Sequence, residues 1–234
     1  MLNNEYNHYV SGSLSRRERN MADKSRRILS AAADLFDEHG YAGVTTQQIA
    51  DSADVAAGTV FRYADTKAEL LLAVFNARIE AAIDEGARAA GPLADALDAV
   101  AALLTPLVRL AARAPRDTAI YQRELMFGEN EAGRYRLDGL RVIDDLETRI
   151  AAIIAPQAGR DAARIAARSI FAATHIFLVQ PGLGLDRDAD ELRAQIAQII
   201  AGAQAQAHAS AANPPRRHES AHNGGTPPER GDND

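Results

Sequence analysis

Residues 45–70 restrict the possible folds of this chain more than any other stretch, because two helix-start signals occur close together within it. Thr45 with Gln48, and Thr66 with Glu69, match the capping box, in which a Thr side chain and a Glu or Gln three residues later bond the free N–H groups of a helix start. The stretch therefore predicts short, separately capped helices. Their expected ranges are Thr45 to about Ala53, Ala57 to about Tyr63, and a third helix that begins near Lys67.

Two short helices joined by a tight turn form a helix-turn-helix, whose second helix can lie in the major groove of DNA. Val55 and Val60 would pack against the first helix, leaving the other residues of the second helix to face outward. Arg62 suits a guanine edge or a phosphate, Thr59 a phosphate or a thymine edge, and Gly58 a close backbone approach. The predicted DNA contacts are Thr45, Thr46, Gln47, Gly58, Thr59, Phe61, Arg62, Tyr63 and Lys67.

This pattern leaves one alternative open. An ordinary three-helix core with incidental surface residues would produce the same spacing, and helix-turn-helix geometry also occurs in proteins that bind no DNA.

A longer set of residues narrows the interpretation. It comprises Arg27-Ile28-Leu29, Ala32-Ala33, Leu35-Phe36, Gly40-Tyr41, Thr45-Thr46, Ile49-Ala50, Ala53, Val55, Gly58-Thr59-Val60-Phe61, Tyr63, Lys67 and Leu70-Leu71. In order and spacing these residues resemble the N-terminal domain of TetR-family transcriptional regulators. The resemblance does not continue through the rest of the chain. It implies an all-helical homodimer, usually a repressor, that releases DNA when a small molecule binds its C-terminal domain.

The chain departs from the usual family pattern at several positions of the helix-turn-helix. Asp54 stands where Gly is usual, Ala56 where a Ser or Thr cap is usual, and Ala57 where a polar or basic residue is common. Phe61 replaces the usual Tyr, and Ala64 the usual Phe. These changes bear on the DNA contacts rather than on the fold. We expect Asp54 to cap the second helix in place of the missing Ser.

The charge of the chain has to be concentrated locally if it binds DNA. The 234 residues carry a formal net charge of −6, which argues against nucleic-acid binding by bulk charge. Residues 16–27 hold a cluster of Arg and Lys, and residues 1–22 lack helical periodicity. We expect residues 1–22 to form a disordered basic arm, which either contacts phosphates or is a plain solvated tail.

The remaining periodicity predicts an all-α, two-domain chain of about nine helices. A first helix from Lys24 to His39 and a long one from Lys67 to about Ala90 are expected, the latter linking the two domains. Pro106 should kink or break the next helix, and Pro156 should close a later one. The predicted units are residues 1–22, the arm; 23–70, the DNA-binding domain; 71–210, the effector-binding and dimerisation domain; and 211–234, a disordered tail.

Two further sets of residues are assigned in the C-terminal domain. Aromatic and polar residues that could line a ligand pocket are Tyr121, Glu124, Phe127, Phe171 and His175, although core packing explains them equally well. The last two helices have wide apolar faces, and the resemblance implies that they pair with a second copy. The expected interface residues are Ile165, Ile170, Phe177, Leu192, Ile196, Ile199 and Ile200.

Other classes of protein are disfavoured by what the sequence lacks. There is no Cys, which excludes disulfides, a thiol nucleophile and Cys-ligated zinc. We found no Gly-rich phosphate loop, no catalytic motif and no His and carboxylate cluster with metal spacing. No apolar run looked long enough to span a bilayer. We therefore expect a cytoplasmic protein that is not an enzyme and has no cofactor, metal site or membrane partner.

The sequence thus predicts a sequence-specific DNA-binding regulator. It would be a homodimeric repressor, released from a near-palindromic DNA operator by an unknown small-molecule effector. The alternative is a helical small-molecule-binding module with a weak or vestigial DNA-binding domain. An enzyme on a helical scaffold is a more distant rival.

Overall fold

High Ala content and regular apolar spacing make this chain helical. The computed structural model describes residues 15–128 and 133–212, and these ranges contain helices and no strand. The helices are α1 (Arg16–His39), α2 (Thr46–Ser52), α3 (Ala57–Val60), α4 (Lys67–Ala90), α5 (Ala96–Arg113), α6 (Pro115–Phe127), α7 (Arg134–Ala158), α8 (Arg160–Val179) and α9 (Ala189–Ala212). Short 3-10 turns lie at Tyr41–Gly43 and Gln180–Leu183. The prediction of an all-α chain with about nine helices is confirmed.

The N-terminal core is formed by α1, α2, α3 and the first half of α4, and side chains of α6 and α7 pack into it. Ile28, Ile49, Leu70 and Leu71 are fully buried in it. Burying a side chain of this size contributes roughly 1.5–3 kcal/mol. Helices as short as α2 and α3 are not stable in isolation, so the burial of these residues stabilises them.

The long helix α4 belongs to both halves of the molecule. Leu71 and Phe75 pack in the N-terminal core, whereas Ile83 packs in the C-terminal core. Farther along, Gly86 meets α5 so closely that a Cβ there would lie 2.1 Å from the Leu103 carbonyl oxygen. The helix is continuous across the predicted boundary between residues 70 and 71, so it connects the two cores mechanically.

The C-terminal core is built from α5, α7, α8, α9 and the second half of α4. Pro106 lies inside α5 without breaking it, and Pro156 lies inside α7, which continues to Ala158. The expected stop at Pro156 is therefore wrong. The helix ends at Gly159, whose φ of 76° is a conformation that glycine adopts without strain.

The first helix is longer than predicted. It begins at Arg16 rather than Lys24, so residues 16–22 are helical and the predicted disorder of this part of the arm is wrong. Residues 211 and 212 likewise extend α9. The other parts of the predicted arm and tail, residues 1–14 and 213–234, lie outside the described residues.

One helical segment, Arg160–Leu183, is long and apolar enough to cross a membrane by length and composition alone. This corrects the expectation that no run would qualify. Part of the apolar surface of α8 packs into the C-terminal core, where Ala163, Ile170 and Phe177 are buried. The bundle buries 39% of the apolar window of this segment.

Candidate DNA-binding surface and ligand cavity

A complete capping box fixes the start of α2. Thr45 Oγ1 accepts a hydrogen bond from the Gln48 N–H at 3.2 Å, and Gln48 Oε1 accepts one from the Thr45 N–H at 2.8 Å. Val44 and Ile49, the staple positions on either side, are both buried. The predicted capping box is confirmed, and it holds Gln47 exposed at the start of the helix.

The second helix of the motif is shorter than predicted. α3 ends at the buried Val60, and residues 61–63 continue as a turn rather than as helix. Gly58 and Arg62 are exposed, and 48% of the Phe61 surface is accessible. A Cβ added at Gly58 would meet no atom within 4 Å, so the packing of the chain itself does not require glycine there.

The expected cap of α3 by Asp54 is wrong. The N-cap residue is Ala56, and no side chain bonds the free N–H groups of this helix. Asp54 has a φ of 52°, a left-handed backbone that non-glycine residues rarely adopt, and its carboxylate lies 3.6 Å from the Arg27 guanidinium. The turn therefore keeps the shape that glycine would give it, but with backbone strain.

A basic groove runs between the first turns of α1 and the end of the motif. Because α1 begins at Arg16, the cations that were expected in a disordered arm lie on a helix beside the recognition segment. The groove is lined by Arg16, Arg17, Asn20, Met21, Lys24, Thr59, Arg62 and Tyr63. None of these lining residues is acidic. An acidic chain thus concentrates its positive charge at the predicted DNA-binding face, where it can attract phosphate.

Lys67 is held by the protein itself. Its Nζ donates hydrogen bonds to the carbonyl oxygens of Tyr41, at 2.8 Å, and Val44, at 2.7 Å, and lies 4.1 Å from the centre of the Tyr41 ring. Burial lowers the pKa of Lys67. In this structure the predicted phosphate contact from Lys67 is replaced by an internal clamp on the turn before α2.

A buried carboxylate connects the two halves near the same turn. Asp117, in the first turn of α6, accepts a hydrogen bond from the Tyr41 N–H through Oδ2 at 2.9 Å. Arg78 of α4 bonds both carboxylate oxygens of Asp37 on α1, each at 2.8 Å. The C-terminal domain is therefore fixed to the DNA-binding domain through α6 as well as through α4.

A cavity of about 50 Å³ lies between α4, α5, α6, α7 and α8. Its wall is mainly apolar. The lining residues are Phe75, Ile79, Ile83, Leu107, Leu110, Ala111, Thr118, Tyr121, Gln122, Leu125, Val142, Ile143, Leu146, Phe171, Thr174, His175 and Leu178. The Tyr121 hydroxyl is already bonded, at 2.9 Å, to Oδ1 of the buried Asn76, whose Nδ2 donates to the Tyr135 carbonyl. Burial raises the pKa of Tyr121 and lowers that of His175, which favours the neutral form of both side chains.

The structure divides the predicted effector-binding residues. Tyr121, Phe171 and His175 line the cavity. Glu124 and Phe127 do not, because Glu124 pairs with Arg123 at 2.7 Å on the surface and Phe127 is 84% exposed. Their assignment to a pocket is wrong.

Sequence reasoning missed three polar residues of the cavity wall. Thr118 and Gln122 lie on α6, and Thr174 lies on α8. The available signal was that Thr174 interrupts the apolar stripe of its helix. A threonine in such a stripe indicates either a satisfied core hydroxyl or a ligand-facing one, and periodicity does not separate the two.

Most of the predicted interface residues lie inside the chain. Ile170, Phe177, Leu192, Ile196 and Ile200 are each less than 9% exposed in the C-terminal core and are unavailable to a second copy in this conformation. The wide apolar faces of α8 and α9 supply residues for the core of the chain itself as well as for any partner, and the middle of each face packs in that core. Of the remaining two, Ile165 is exposed and Ile199 is half-buried.

A family model for bacterial regulatory proteins of the TetR family matches residues 28–74, the segment that forms the second half of α1, all of α2 and α3, and the start of α4. Residues 28–74 are therefore a TetR-family domain. It is 30% identical over 110 residues to the HTH-type transcriptional repressor KstR of Rhodococcus jostii, an alignment that covers 47% of this chain and 51% of the relative. The chain thus spans about half the length of this relative.

Solved structures of TetR-like fold extend the similarity to most of the chain. The regulator FadR of Bacillus subtilis, in complex with stearoyl-CoA, is 20% identical with a TM-score of 0.54, covering 77% of this chain and 98% of its own. RolR in complex with resorcinol is 18% identical with a TM-score of 0.58, covering 84% and 96%. At these identities the likeness establishes the fold. The TetR family consists of regulatory proteins rather than enzymes, in agreement with the sequence prediction.

Proposed function

We propose that this chain, with its TetR-family domain, is a sequence-specific DNA-binding repressor, released from a near-palindromic operator by a small-molecule effector. The main support for this proposal is that Thr59 of α3, with Arg62 and Tyr63 in the turn after it, lines the same groove as the basic first turns of α1. The relative that carries the name of a transcriptional repressor supports the sign of regulation. Such a protein acts on DNA, so we place it in the cytoplasm.

The proposed DNA contacts follow from exposure. Arg62, at the end of the recognition segment, is exposed and can reach a base edge. Gln47, at the start of α2, is also exposed, but its amide nitrogen donates a hydrogen bond to Asp51 Oδ1 at 2.7 Å that it would exchange for a base edge. Gly58 lets the α3 backbone approach the duplex, since nothing in the chain itself fills the space beside it. The other proposed contacts, which would position the protein on phosphates or sugars, are Thr45, Thr46, Thr59, Phe61, Tyr63 and the α1 cations Arg16, Arg17 and Lys24.

A homodimer is proposed to form through the outward face of α8 with α9. Ile165 and Ile176 are 56% and 57% exposed there, with the exposed Ala172 between them. Small residues on the outer face of α9, such as Ala201 and Gly202, would allow a second helix pair to approach closely. Two-fold symmetry would then present two recognition helices about 34–36 Å apart, one turn of the duplex.

Release by an effector is proposed to act through α6 and α4. Helix α6 contributes Thr118 and Tyr121 to the cavity wall, and its first turn holds Asp117 on the Tyr41 N–H. A molecule that widens the cavity would displace α6 and loosen that bond. A typical coupling of about 1–3 kcal/mol would weaken operator binding roughly 5- to 150-fold. FadR with stearoyl-CoA and RolR with resorcinol show that proteins of this fold bind organic ligands.

DNA binding can be tested with fragments upstream of the chain's own gene, by fluorescence anisotropy at several salt concentrations. We expect Arg62→Ala to weaken binding by about 1–3 kcal/mol and to reduce discrimination against unrelated DNA. The matched control is Arg141→Ala, which removes another exposed guanidinium, one on α7 that pairs with Asp138. Equal affinity of both variants for the fragment would contradict the assigned role of Arg62.

The same assay distinguishes the second candidate function. A helical ligand-binding module with a weak DNA-binding domain is favoured by the internal engagement of Lys67 and by the uncapped start of α3. It would show no salt-dependent, sequence-selective binding to any upstream fragment.

Dimerisation can be tested by sedimentation. We expect Ile176→Glu to give a monomer, because the charged side chain would lie in the proposed interface yet remains solvated in the single chain. Leu93→Glu is the control, since Leu93 is 43% exposed in the turn between α4 and α5. A parent chain that is already monomeric at micromolar concentration would contradict the proposed dimer.

A further inference from the structure

Unsatisfied polar atoms are concentrated in the cavity between α6 and α8. Among the described residues, six buried side-chain nitrogen or oxygen atoms have no hydrogen-bond partner. Four of them belong to cavity-lining residues: Thr118 Oγ1, Gln122 Oε1, Thr174 Oγ1 and His175 Nδ1. Each unpaired buried group lowers the free energy of unfolding by roughly 1–3 kcal/mol, so this cavity destabilises the chain unless a bound molecule bonds these groups.

The arrangement of these groups is that of a binding site rather than of a loosely packed core. Thr118 and Thr174 are only 5% and 2% exposed, so bulk water does not serve their hydroxyls. Thr118 and Gln122 are one helical turn apart on α6, and Thr174 and His175 are adjacent on α8. The cavity therefore has a polar pair on each of two different helices, within an otherwise apolar wall.

The charge of the wall restricts what could bind. No Lys, Arg, Asp or Glu is among the lining residues that the structure describes. An ionised ligand group would lose its hydration without gaining a counter-ion, which costs several kcal/mol. Threonine hydroxyls and a neutral imidazole instead bond hydroxyl and carbonyl groups, since each can exchange donor and acceptor roles.

The size of the cavity also limits how a ligand can bind. Its volume of about 50 Å³ is smaller than the roughly 150 Å³ of an engineered apolar cavity that binds benzene. Even a single-ring ligand must therefore push the walls apart. One of those walls is α6, whose first turn holds Asp117 on the Tyr41 N–H, so a ligand that displaces α6 would strain that connection.

We propose that the effector is a neutral, mainly apolar molecule with hydroxyl or carbonyl groups that bond the polar pairs on α6 and α8. This inference rests on the proposed function, because it identifies the chemical class of the effector. It assigns recognition of the polar groups to Thr118, Gln122, Thr174 and His175, and recognition of the apolar body to the surrounding aliphatic and aromatic wall. A carboxylate or phosphate group would not enter the cavity.

Three probes of nearly equal size test the proposal: p-cresol, which is neutral with one hydroxyl; toluene, which lacks a polar group; and benzoate, which is anionic. Binding of each to the full chain is measured by calorimetric titration without DNA. We expect p-cresol to bind about 2- to 10-fold more tightly than toluene, the gain from one hydrogen bond, and benzoate to bind most weakly. Benzoate binding as tightly as p-cresol, or no probe binding up to its solubility limit, would overturn the proposal.

Isosteric variants test which side chains cause the preference for p-cresol over toluene. Thr118→Val and Thr174→Val together should reduce the advantage of p-cresol over toluene while leaving toluene binding unchanged or improved, because two of the four unpaired groups are removed. Thr105→Val is the control, because Thr105 is exposed on α5 and its hydroxyl bonds its own helix at 2.7 Å. Far-UV circular dichroism and melting curves establish that each variant folds. An unchanged ratio of p-cresol to toluene affinity in the double variant would contradict the assignment.

Failure of this inference can be told apart from failure of the proposed function. The probe titrations do not involve DNA, whereas the repressor proposal depends on operator binding by the ligand-free chain. A chain that binds its operator but prefers benzoate disproves only the effector class. A chain that prefers p-cresol but binds no operator disproves the repressor.

Discussion

The contact between α4 and α5 provides a stability test with a magnitude set by the structure. Gly86 faces the α5 backbone, and the Cβ of an Ala at this position would lie 2.1 Å from the Leu103 carbonyl oxygen and 2.8 Å from its Cα and carbonyl carbon. Contacts of a Cβ below 3.0 Å are essentially never seen. The two helices would have to separate by about 1 Å, because the obstacle is backbone and no side-chain rotation relieves it.

The expected cost of Gly86→Ala combines two opposing effects. Overpacking a core costs typically about 1–3 kcal/mol, and a rigid backbone obstacle places this case near the upper end. The higher helix propensity of Ala returns up to about 1 kcal/mol. The free energy of unfolding should therefore fall by about 2 kcal/mol. For a chain of this length that lowers the melting temperature by roughly 4–8 °C.

The measurement is thermal and urea unfolding followed by far-UV circular dichroism. Gly58→Ala is the matched control, because it adds the same methyl group where no atom lies within 4 Å. It should leave the melting temperature within about 2 °C of the parent, yet weaken operator binding, since the methyl group would stand between α3 and the proposed duplex. An unchanged melting temperature for Gly86→Ala would refute the packing argument, as would an equal loss in both variants.

Further predictions concern strain, the domain connection and pH. Asp54→Gly should raise the free energy of unfolding by about 0.5–1 kcal/mol, because it relieves the left-handed φ and loses only an exposed pair with Arg27; a lower urea midpoint would contradict this. Burial raises the pKa of Asp117, so this carboxyl group stabilises the folded chain at low pH, and that contribution is lost as the pH rises through the folded-state pKa. Asp117→Asn, which keeps an oxygen acceptor for the Tyr41 N–H, should therefore be at least as stable as the parent near pH 7, and Asp117→Ala less stable by about 1–3 kcal/mol in urea unfolding. Burial lowers the pKa of His175, so its contribution to stability is present above about pH 6.5 and is lost as the pH falls through the folded-state pKa; urea midpoints should decline less on acidification in His175→Gln than in the parent, and equal declines would rule this out.

Several features of the fold could be predicted because their causes are local. The capping box at Thr45 and the glycine stop after His39 depend on residues within one helical turn, and the structure has both. The buried stripe of α1, with Ile28 and Phe36, follows from a period of 3.6 residues. The helix-turn-helix and its family resemblance were therefore readable without coordinates.

Other features depended on contacts between distant segments. Periodicity identifies an apolar face but not its partner, so Ile170 and Ile196 were assigned to a second copy although they pack inside the chain. Lys67 was expected to reach phosphate because its charge and position fit, yet the turn before α2 brings two carbonyl oxygens within its reach. The helical start of α1 from Arg16 was likewise missed, since its polar residues give no apolar period to detect.

The sequence by itself determined that this chain is helical, where the helix-turn-helix lies and which family it resembles. These features depend on residues that are close together along the chain. Only the tertiary structure decided that four polar groups without partners share one cavity, and that α6 joins this cavity to the DNA-binding domain through Asp117 and Tyr41. These residues are separated along the chain by up to about half its length, and hydrogen bonding depends on distances of a few ångströms that no pattern of residues encodes.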